Sequence, residues 1–326
     1  MSLSPLPEPH WTQVPKVARI VDYFTGGTDN YAADRALAHR LRQTAPWLPQ
    51  MLLINRQYSQ RAVEYMSRVL RIGQFLDLGY GMPHNSDAHP LKPLHTYDAA
   101  SLACTPRVVY VHNSRVVHGH AKTSLAEHAG TAAIHTNARE VGRLMDNKAV
   151  ASLIDINCPV AALCDDLLCW MTDEDAAWFV ADLHDRLPPG SAISVSHATT
   201  DTAPEVMGEL AGLYAEHGIV FRPRSRDHIG QLLGPWTPVA PGLVTPAQWP
   251  TPPDHSFPGA DQSHAYAAVA LHRPAGAAPA ARSSRSWISS LLRRRRSRPE
   301  SEASPIQPFA EPGFVSAATA ARWVAP

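Results

Sequence analysis

The chain contains few cysteines and almost no lysine. Its 326 residues include four cysteines and four lysines, against 25 arginines. No two cysteines have the CxxC spacing of zinc and redox motifs, and most lie in apolar surroundings. We therefore expect Cys104, Cys158, Cys164 and Cys169 to be buried small hydrophobic residues in a reducing compartment, and we expect no metal site.

Long hydrophobic runs are also missing. No stretch approaches the roughly 18 apolar residues that a membrane-spanning helix needs. The opening residues MSLSPLPEPHW lack both the basic region and the apolar region of a signal peptide. The sequence therefore predicts a cytoplasmic protein without a transmembrane segment.

Charge is balanced overall but unevenly distributed. The segment 273–326 carries nine arginines and three glutamates, whereas the preceding residues are mildly acidic. Its Ala, Pro, Ser and Arg composition predicts a disordered basic tail. Within it, SWISSLLRRRRSR is either a solvated basic linker or a segment that docks on an anionic surface or a protein partner.

Apolar periodicity divides the rest of the chain into two parts. Residues 1–15 are rich in proline and are predicted to be extended. Residues 16–72 have helical spacing, clearest in MLLINRQYSQRAVEYMSRVLR. Short apolar strands then alternate with helices predicted near 114–128, 138–152, 173–187 and 203–217. The strands are predicted at 107–113, 131–137, 159–166 and 191–199, with two late strands in VAPGLVTPAQW and HAYAAVALHR.

This alternation predicts an α/β fold. Strands that are apolar on both faces are typical of a parallel sheet covered by helices on both sides. We therefore expect 16–272 to form one α/β domain, in which the helical segment 16–72 precedes the sheet.

The stretch QFLDLGYGMP, residues 74–83, is a candidate cofactor turn. A strand followed by two glycines one residue apart exposes bare backbone amides to a ligand. The third glycine of a dinucleotide-binding turn is missing, which argues against a pyrophosphate cofactor and suits a nucleoside without phosphates. A plain tight turn is the alternative.

Several other blocks give the sequence a family resemblance. It resembles the S-adenosylmethionine-dependent methyltransferases long catalogued as a bacterial domain of unknown function. The resemblance covers about residues 15–272 and rests on ARIVDYFTGGTDNYAADR (18–35), INR (54–56), QFLDLGYGMP, PPGSAISVSHAT (188–199), RSRDHI (224–229) and PGLVTPAQW (241–249).

The resemblance implies a Rossmann-like class I methyltransferase fold with seven strands, the last antiparallel, and S-adenosylmethionine as cofactor. It places Asp77, Gly79, Tyr80 and Gly81 beneath the cofactor. It also implies that the opening helices form a lid, which would complete the pocket with Arg19, Asp22, Tyr23, Gly26, Gly27, Asp29 and Asn30. The alternative is that Gly26 and Gly27 only end a helix and that Asp29 only begins one.

The sequence departs from the family pattern around this pocket. His112 replaces the acid that would accept both ribose hydroxyls, and an imidazole accepts one hydrogen bond at most. Asn113 is a candidate substitute acceptor. Asn137 stands where an acid usually meets the adenine amine. After the fourth strand, Asp165 and Asp166 are additional acids.

These departures leave two functions open. The first is a methyltransferase acting on an unknown small molecule, with His197 as the candidate base and Asp165 and Asp166 as alternatives. The second is a methyltransferase-fold binding or regulatory protein with impaired catalysis. For His197 a purely structural role, bridging neighbouring strand ends, is the alternative.

Overall fold

The computed structural model describes residues 9–83, 94–250 and 262–273. The predicted basic tail from 274 onward and most of the proline-rich start lie outside these residues. Residue 9 begins a short 3₁₀ turn, Pro9–Thr12, within the segment that was expected to be extended.

Seven strands form one sheet in the order β3-β2-β1-β4-β5-β7-β6. All pairings are parallel except those of β7, which runs antiparallel to β5 and β6. The strands are β1 Gln74–Asp77, β2 Arg107–His112, β3 Thr131–His135, β4 Ala161–Leu163, β5 Ala192–Ala198, β6 Thr237–Pro238 and β7 Ala265–Leu271. The predicted mixed sheet is confirmed.

The described residues form ten α-helices. Their bounds are α1 Val17–Phe24, α2 Ala32–Thr44, α3 Leu48–Arg68, α4 Thr96–Ser101, α5 Arg115–Ser124, α6 Val141–Met145, α7 Lys148–Leu153, α8 Asp173–Arg186, α9 Pro204–Ala215 and α10 Arg226–Leu232. Within these ranges no helix is both long and apolar enough to cross a membrane.

Side-chain caps set several helix starts. Ser114, Thr172 and Ser225 accept backbone amides at the first turns of α5, α8 and α10. Asn147 does the same for α7, by accepting from the amide of Ala149 over 2.9 Å. This cap explains why the helix predicted over 138–152 is two short helices, since a capping residue needs a non-helical backbone.

The late region differs from its prediction. The run 239–249 is not a continuous strand. Val239 and Val244 each donate to a β7 carbonyl, but Gly242 between them takes a left-handed conformation at φ 86°. Arg61 of α3 instead holds this segment, donating to the carbonyls of Trp249 over 2.9 Å and of Pro246 over 2.6 Å. Strand β6 precedes the run.

Two layers of helix cover the sheet. On one face, alternate residues of the strands pack with α6, α7, α8 and α10 in a continuous apolar core. On the other face α3 crosses β5, where the hydroxyl groups of Tyr58 and Ser194 lie 3.1 Å apart. Cys164 and Cys169 are buried as expected, whereas Cys158 is exposed and Cys104 is half-buried.

Candidate functional site

The turn after β1 has the backbone that a ligand-binding loop requires. Gly81 takes a left-handed conformation at φ 72°, which glycine adopts without strain. A Cβ on Gly79 would lie 3.4 Å from Leu167, an ordinary van der Waals contact, so Gly81 is the position in this turn that requires glycine. Asp77 ends the strand, and Thr96 donates a 2.7 Å hydrogen bond to its carboxylate. Burial raises the pKa of Asp77 to about 6.

A cavity of about 430 Å³ opens beside this turn. It is bounded by the carboxyl ends of β1 to β4, by α1 and α3 above them, and by α9 at the side. In an open α/β sheet, ligands bind in a crevice at the carboxyl ends of the strands. Of the predicted cofactor residues, Arg19, Asp77, Gly79, Tyr80, Gly81, His112, Asn113 and Asn137 line it.

Tyr80 contributes both an aromatic face and a hydroxyl group to this wall. Its ring packs edge-on against the rings of Tyr110 and His112, with centroids 5.4 Å and 5.6 Å away. Its hydroxyl is buried and has no hydrogen-bond partner in the described part of the chain. A buried hydroxyl without a partner is costly, so a ligand oxygen or nitrogen here would satisfy it.

His112 ends β2 in a defined tautomer. The backbone amide of Ser114 donates to Nδ1 of the ring over 2.9 Å. A neutral imidazole carries one proton, so Nε2 is then an N–H donor. Burial, followed by the effect of His135, lowers the pKa of His112 to about 4, which keeps the ring neutral near pH 7. The sequence predicts a single acceptor here, and the structure gives a donor.

Two asparagines lie at the ends of the neighbouring strands. Asn113 follows β2 with an exposed side chain, and its backbone carbonyl is 3.1 Å from Nε2 of His135. Asn137 follows β3, and its Oδ1 accepts the amide of Arg139 over 3.2 Å. Both line the cavity, so an amide group is available at each strand end where the family pattern has polar contacts.

Asp165 and Asp166 follow β4 and face the same cavity. Ser194 donates to Oδ1 of Asp165 over 2.8 Å, and Ser59 is a second hydrogen-bonding side chain beside this carboxylate. Asn55 and Ser196 each donate to Oδ1 of Asp166 over 3.1 Å. Burial raises the pKa of Asp165 to about 7 and that of Asp166 to about 6.

Arg56 is a cavity residue that the sequence reading did not assign to the site. It lies on α3, and its Nη2 is 3.5 Å from the position that a Cβ on Gly81 would take. Burial lowers its pKa to about 10, opposed by Asp166 and Asp22. The described residues provide no ion pair for it, so its guanidinium group is available to an anion. Arg56 belongs to the INR block that contributes to the family resemblance, but that block alone assigned no role to it.

Most of the predicted lid residues do not reach the cavity. Gly26 and Gly27 close helix α1, because their amides bond to the carbonyls of Tyr23 and Asp22 in the pattern of a Schellman motif. The side chain of Asn30 then donates to the Asp22 carboxylate over 2.8 Å. The structure therefore supports the alternative interpretation of the glycine pair, as a helix end.

The remaining lid residues have partners elsewhere. Tyr23 lies 3.0 Å from His39, and Asp29 lies 3.7 Å from His120. Arg19 lines the cavity, yet its Nε lies 2.8 Å from Asp34, and its Nη2 donates to a backbone carbonyl of the opening segment over 2.6 Å. Helices α1 and α3 do cover the cavity, with contributions chiefly from residues outside the predicted set.

His197 is not in the cavity. It is fully buried in β5, with Nε2 2.7 Å from Nη1 of Arg224 and Nδ1 2.8 Å from the carbonyl of Ala198. Burial lowers its pKa to about 3. Arg224 also donates to the carbonyls of Leu168 and Met171, so this pair ties β5 to the chain after β4. The placement corrects the candidate-base assignment and supports the structural alternative.

No metal site is evident in the described ranges. They contain no group of three or more His, Cys, Asp or Glu side chains that could hold a metal ion. The cavity is therefore lined by carboxylates, amides, an imidazole and a guanidinium, together with apolar side chains.

The sheet order, the reversed β7 and the cavity above β1 to β4 define a Rossmann-like methyltransferase. The chain belongs to the S-adenosyl methyltransferase family, whose model matches residues 7–273. A crystal structure of a candidate methyltransferase from Thermobifida fusca YX is similar, with 27% identity and a TM-score of 0.73, over 84% of this chain and 100% of that one.

A second solved structure is similar to the same extent. It is a DUF574-family protein from Streptomyces avermitilis MA-4680, with 29% identity and a TM-score of 0.70, covering 81% of this chain and 99% of that one. No protein with a curated function matches the chain. The family and the fold are therefore shown, and the resemblance found in the sequence is confirmed.

Proposed function

We propose that this protein is an S-adenosylmethionine-dependent methyltransferase acting on a small molecule in the cytoplasm. The observation that carries the proposal is the pairing, in one cavity, of a bare glycine turn with an unpaired arginine. Gly81 brings backbone to the cavity floor, and Arg56 places a cation directly above it. Family membership supplies the cofactor class.

The charges of the cavity fit an amino-acid group. Arg56 would hold the methionyl carboxylate, because a guanidinium matches a carboxylate with two parallel hydrogen bonds. Asp77 would accept the methionyl ammonium, which would favour the ionised carboxylate despite its burial. Tyr80 would direct its orphan hydroxyl to a polar atom of the same ligand.

The strand ends fit the nucleoside. His112 would donate from Nε2 to a ribose oxygen, and Asn113 would offer an amide acceptor beside it. Asn137 would meet the adenine edge with its amide group. His112 cannot form the two charge-assisted hydrogen bonds that a carboxylate would accept from the ribose hydroxyls. We therefore expect cofactor affinity to be about 10- to 100-fold lower than it would be with an acid at position 112.

The protein would contribute to the reaction by aligning the two ligands, excluding water from the cavity and accepting a proton. When bound, S-adenosylmethionine supplies an electrophilic methyl group. Helices α1 and α3 cover the cavity and exclude water, and the site holds its ligands in reacting orientation. Asp165, whose pKa is about 7, takes the place of His197 as the candidate base.

Calorimetry with S-adenosylhomocysteine and S-adenosylmethionine tests the proposal. We expect binding in the micromolar range, which corresponds to about 8 kcal/mol. Failure to bind at millimolar ligand, with protein shown to be folded, would contradict it and favour the binding or regulatory alternative.

A matched pair of glycine variants localises the binding. Gly81→Ala and Gly218→Ala each place a side chain at a left-handed position, with φ of 72° and 67°, so both carry similar backbone strain. Only Gly81 borders the cavity, and we expect only Gly81→Ala to weaken binding, by about tenfold. Equal effects of the two variants would move the ligand away from this turn.

A further inference from the structure

The cavity extends past the acid pair into an aromatic end. We call this end the acceptor chamber, and it is lined by Leu52, Trp170, Leu210, Tyr214, Ile219 and Phe221. Trp170 packs against Tyr214 and Phe221, with ring centroids 5.2 Å and 4.9 Å away. Leu210, Tyr214 and Phe221 are buried behind this end, so its accessible apolar wall comes chiefly from Trp170, Leu52 and Ile219, and the Trp170 ring suits a flat ligand.

The chamber lies on the opposite side of the acid pair from the nucleoside residues. Those residues follow β1, β2 and β3. The chamber is built by Trp170 after β4, by α9 and the residues after it, which follow β5, and by Leu52 of α3. The sheet order places β4 between these two groups. The cofactor residues therefore leave the aromatic end free for a second molecule.

Asp165 and Asp166 lie where the two ligands would meet. Cys169 connects the pair to the chamber, since its thiol is 3.4 Å from the carbonyl of Asp166 and its own carbonyl accepts the amide of Arg222 over 2.7 Å. Both carboxylates would stabilise a cation at this point and would repel an anion. A phenolate acceptor would bring negative charge to them, whereas an amine acceptor brings or develops positive charge.

We propose that the acceptor chamber binds an apolar, ring-bearing molecule with a primary or secondary amine, and that this nitrogen accepts the methyl group. This inference rests on the proposed function. The ammonium nitrogen gives one proton to Asp165 and uses the freed electron pair to bond the methyl carbon. The carbon–sulfur bond breaks as that bond forms, its electron pair stays on sulfur, and the product is a methylated ammonium ion held by Asp166.

Two protonation features support this step. The pKa of Asp165 is about 7, raised mainly by burial, so its protonated and ionised forms are both populated near neutral pH. Its carboxylate lines the cavity, where it can receive that proton from a bound ligand. Asn55 and Ser196 both donate hydrogen bonds to one oxygen of Asp166. Asp166 has the lower pKa of the two acids and is therefore more fully ionised at neutral pH.

A pair of isosteric probes tests the amine. Naphthylmethylamine and naphthylmethanol share one ring system and differ in carrying an ammonium or a hydroxyl group. Their binding is measured by calorimetry on protein saturated with S-adenosylhomocysteine, whose own binding is measured first. We expect the amine to bind at least about tenfold more tightly than the alcohol, and Asp166→Asn to reduce that ratio to below about threefold.

Matched variants control for folding and position. Asp166 has a left-handed backbone at φ 52°, which asparagine tolerates, so Asp166→Asn is compatible with the fold. Asp185→Asn, at a carboxylate 81% exposed, should leave the ratio unchanged. Trp170→Ala should weaken the binding of both probes by about tenfold and leave the binding of S-adenosylhomocysteine unchanged. Trp178→Ala, at a side chain 62% exposed, should change the binding of none of the three ligands.

The outcomes separate the two proposals. If S-adenosylhomocysteine binds but the alcohol equals or exceeds the amine, the amine inference is wrong and the proposed function stands. The same holds if neither ring probe binds to the loaded protein. If S-adenosylhomocysteine itself does not bind, the proposed function fails and this inference fails with it.

Discussion

The backbone amide of Ser114 donates a hydrogen bond to Nδ1 of His112 over 2.9 Å. This bond fixes the imidazole as an Nε2 donor at the end of β2, where the family pattern has a carboxylate that accepts. Ser114 also caps α5 through its hydroxyl, so the same residue sets the helix start and the histidine tautomer. In the proposed complex the imidazole would therefore donate to a ribose oxygen, whereas a carboxylate at this position would accept from the ribose hydroxyls.

His112→Asp should tighten S-adenosylhomocysteine binding by about tenfold or more, because a carboxylate accepts two charge-assisted bonds from ribose hydroxyls. Calorimetry measures the change. His112→Asn is the control, since it has nearly the same shape without the charge, and we expect it to change affinity by less than about threefold. Unchanged affinity in the aspartate variant would mean that His112 does not face the ribose.

Arg56→Gln should weaken S-adenosylhomocysteine binding by about 10- to 100-fold, because the variant loses a charged partner of the methionyl carboxylate. Methylthioadenosine, which has the nucleoside and sulfur but no carboxylate, should bind both proteins equally. Equal weakening for the two ligands would show that Arg56 supports the fold of the site and does not hold the carboxylate.

Arg143→Gln is the matched control for this experiment. Arg143 is 77% exposed on α6 and, among the described residues, pairs with Glu140 three residues earlier. We expect no effect on either ligand. The positive charge of Arg56 is attracted by the carboxylates of Asp166 and Asp22. Thermal unfolding of both variants checks whether its removal alters stability.

His197→Ala should lower the free energy of unfolding by about 1–3 kcal/mol, because buried Arg224 loses a partner for its Nη1. Denaturant titration measures this loss, and S-adenosylhomocysteine affinity should change by less than about twofold. The exposed His217→Ala is the control. If the His197 variant were as stable as the parent protein but bound ligand more weakly, His197 would contribute to ligand binding and the structural interpretation would be wrong.

The stability effect of Asp165→Asn should depend on pH. The pKa of Asp165 is raised from 3.8 to about 7, chiefly by burial, so the folded protein holds this proton more tightly than the unfolded chain. The associated stability is full below about pH 4 and is lost as pH rises through about 7. Asparagine imitates the protonated acid at every pH.

We therefore expect the variant to gain stability relative to the parent protein between about pH 5 and pH 8. Thermal unfolding at the two pH values measures the difference. Asp146→Asn, at an exposed carboxylate directly after α6, should show a difference that does not vary with pH. A constant difference for Asp165→Asn would mean that this carboxylate is ionised throughout the range.

The sequence predicted the sheet because its signal is local. The five parallel strands are short apolar runs with turn residues beside them, and two of the helices between them, α5 and α8, begin at Ser and Thr caps that can be read directly. The run 239–249 was wrongly predicted as a strand from its apolar residues. Pro241 and Gly242 interrupt it, and a hydrogen bond from the distant Arg61 determines its path. No local pattern encodes that contact.

Site residues were predictable where the backbone alone defines them. Asp77, Gly79 and Gly81 follow from a strand that ends in a glycine turn. Arg56 was missed because a helical arginine has no local signal for facing a cavity. His197 was wrongly favoured because sequence shows its residue type but not Arg224, which is 27 positions away and occupies its ring nitrogen.

A crystal structure of the S-adenosylhomocysteine complex would show where the cofactor binds. We expect the adenosyl group over Tyr80, the ribose at His112 and the methionyl carboxylate in hydrogen-bond contact with Arg56. A ligand bound elsewhere, or a carboxylate held by a different cation with Arg56 turned away, would contradict this expectation.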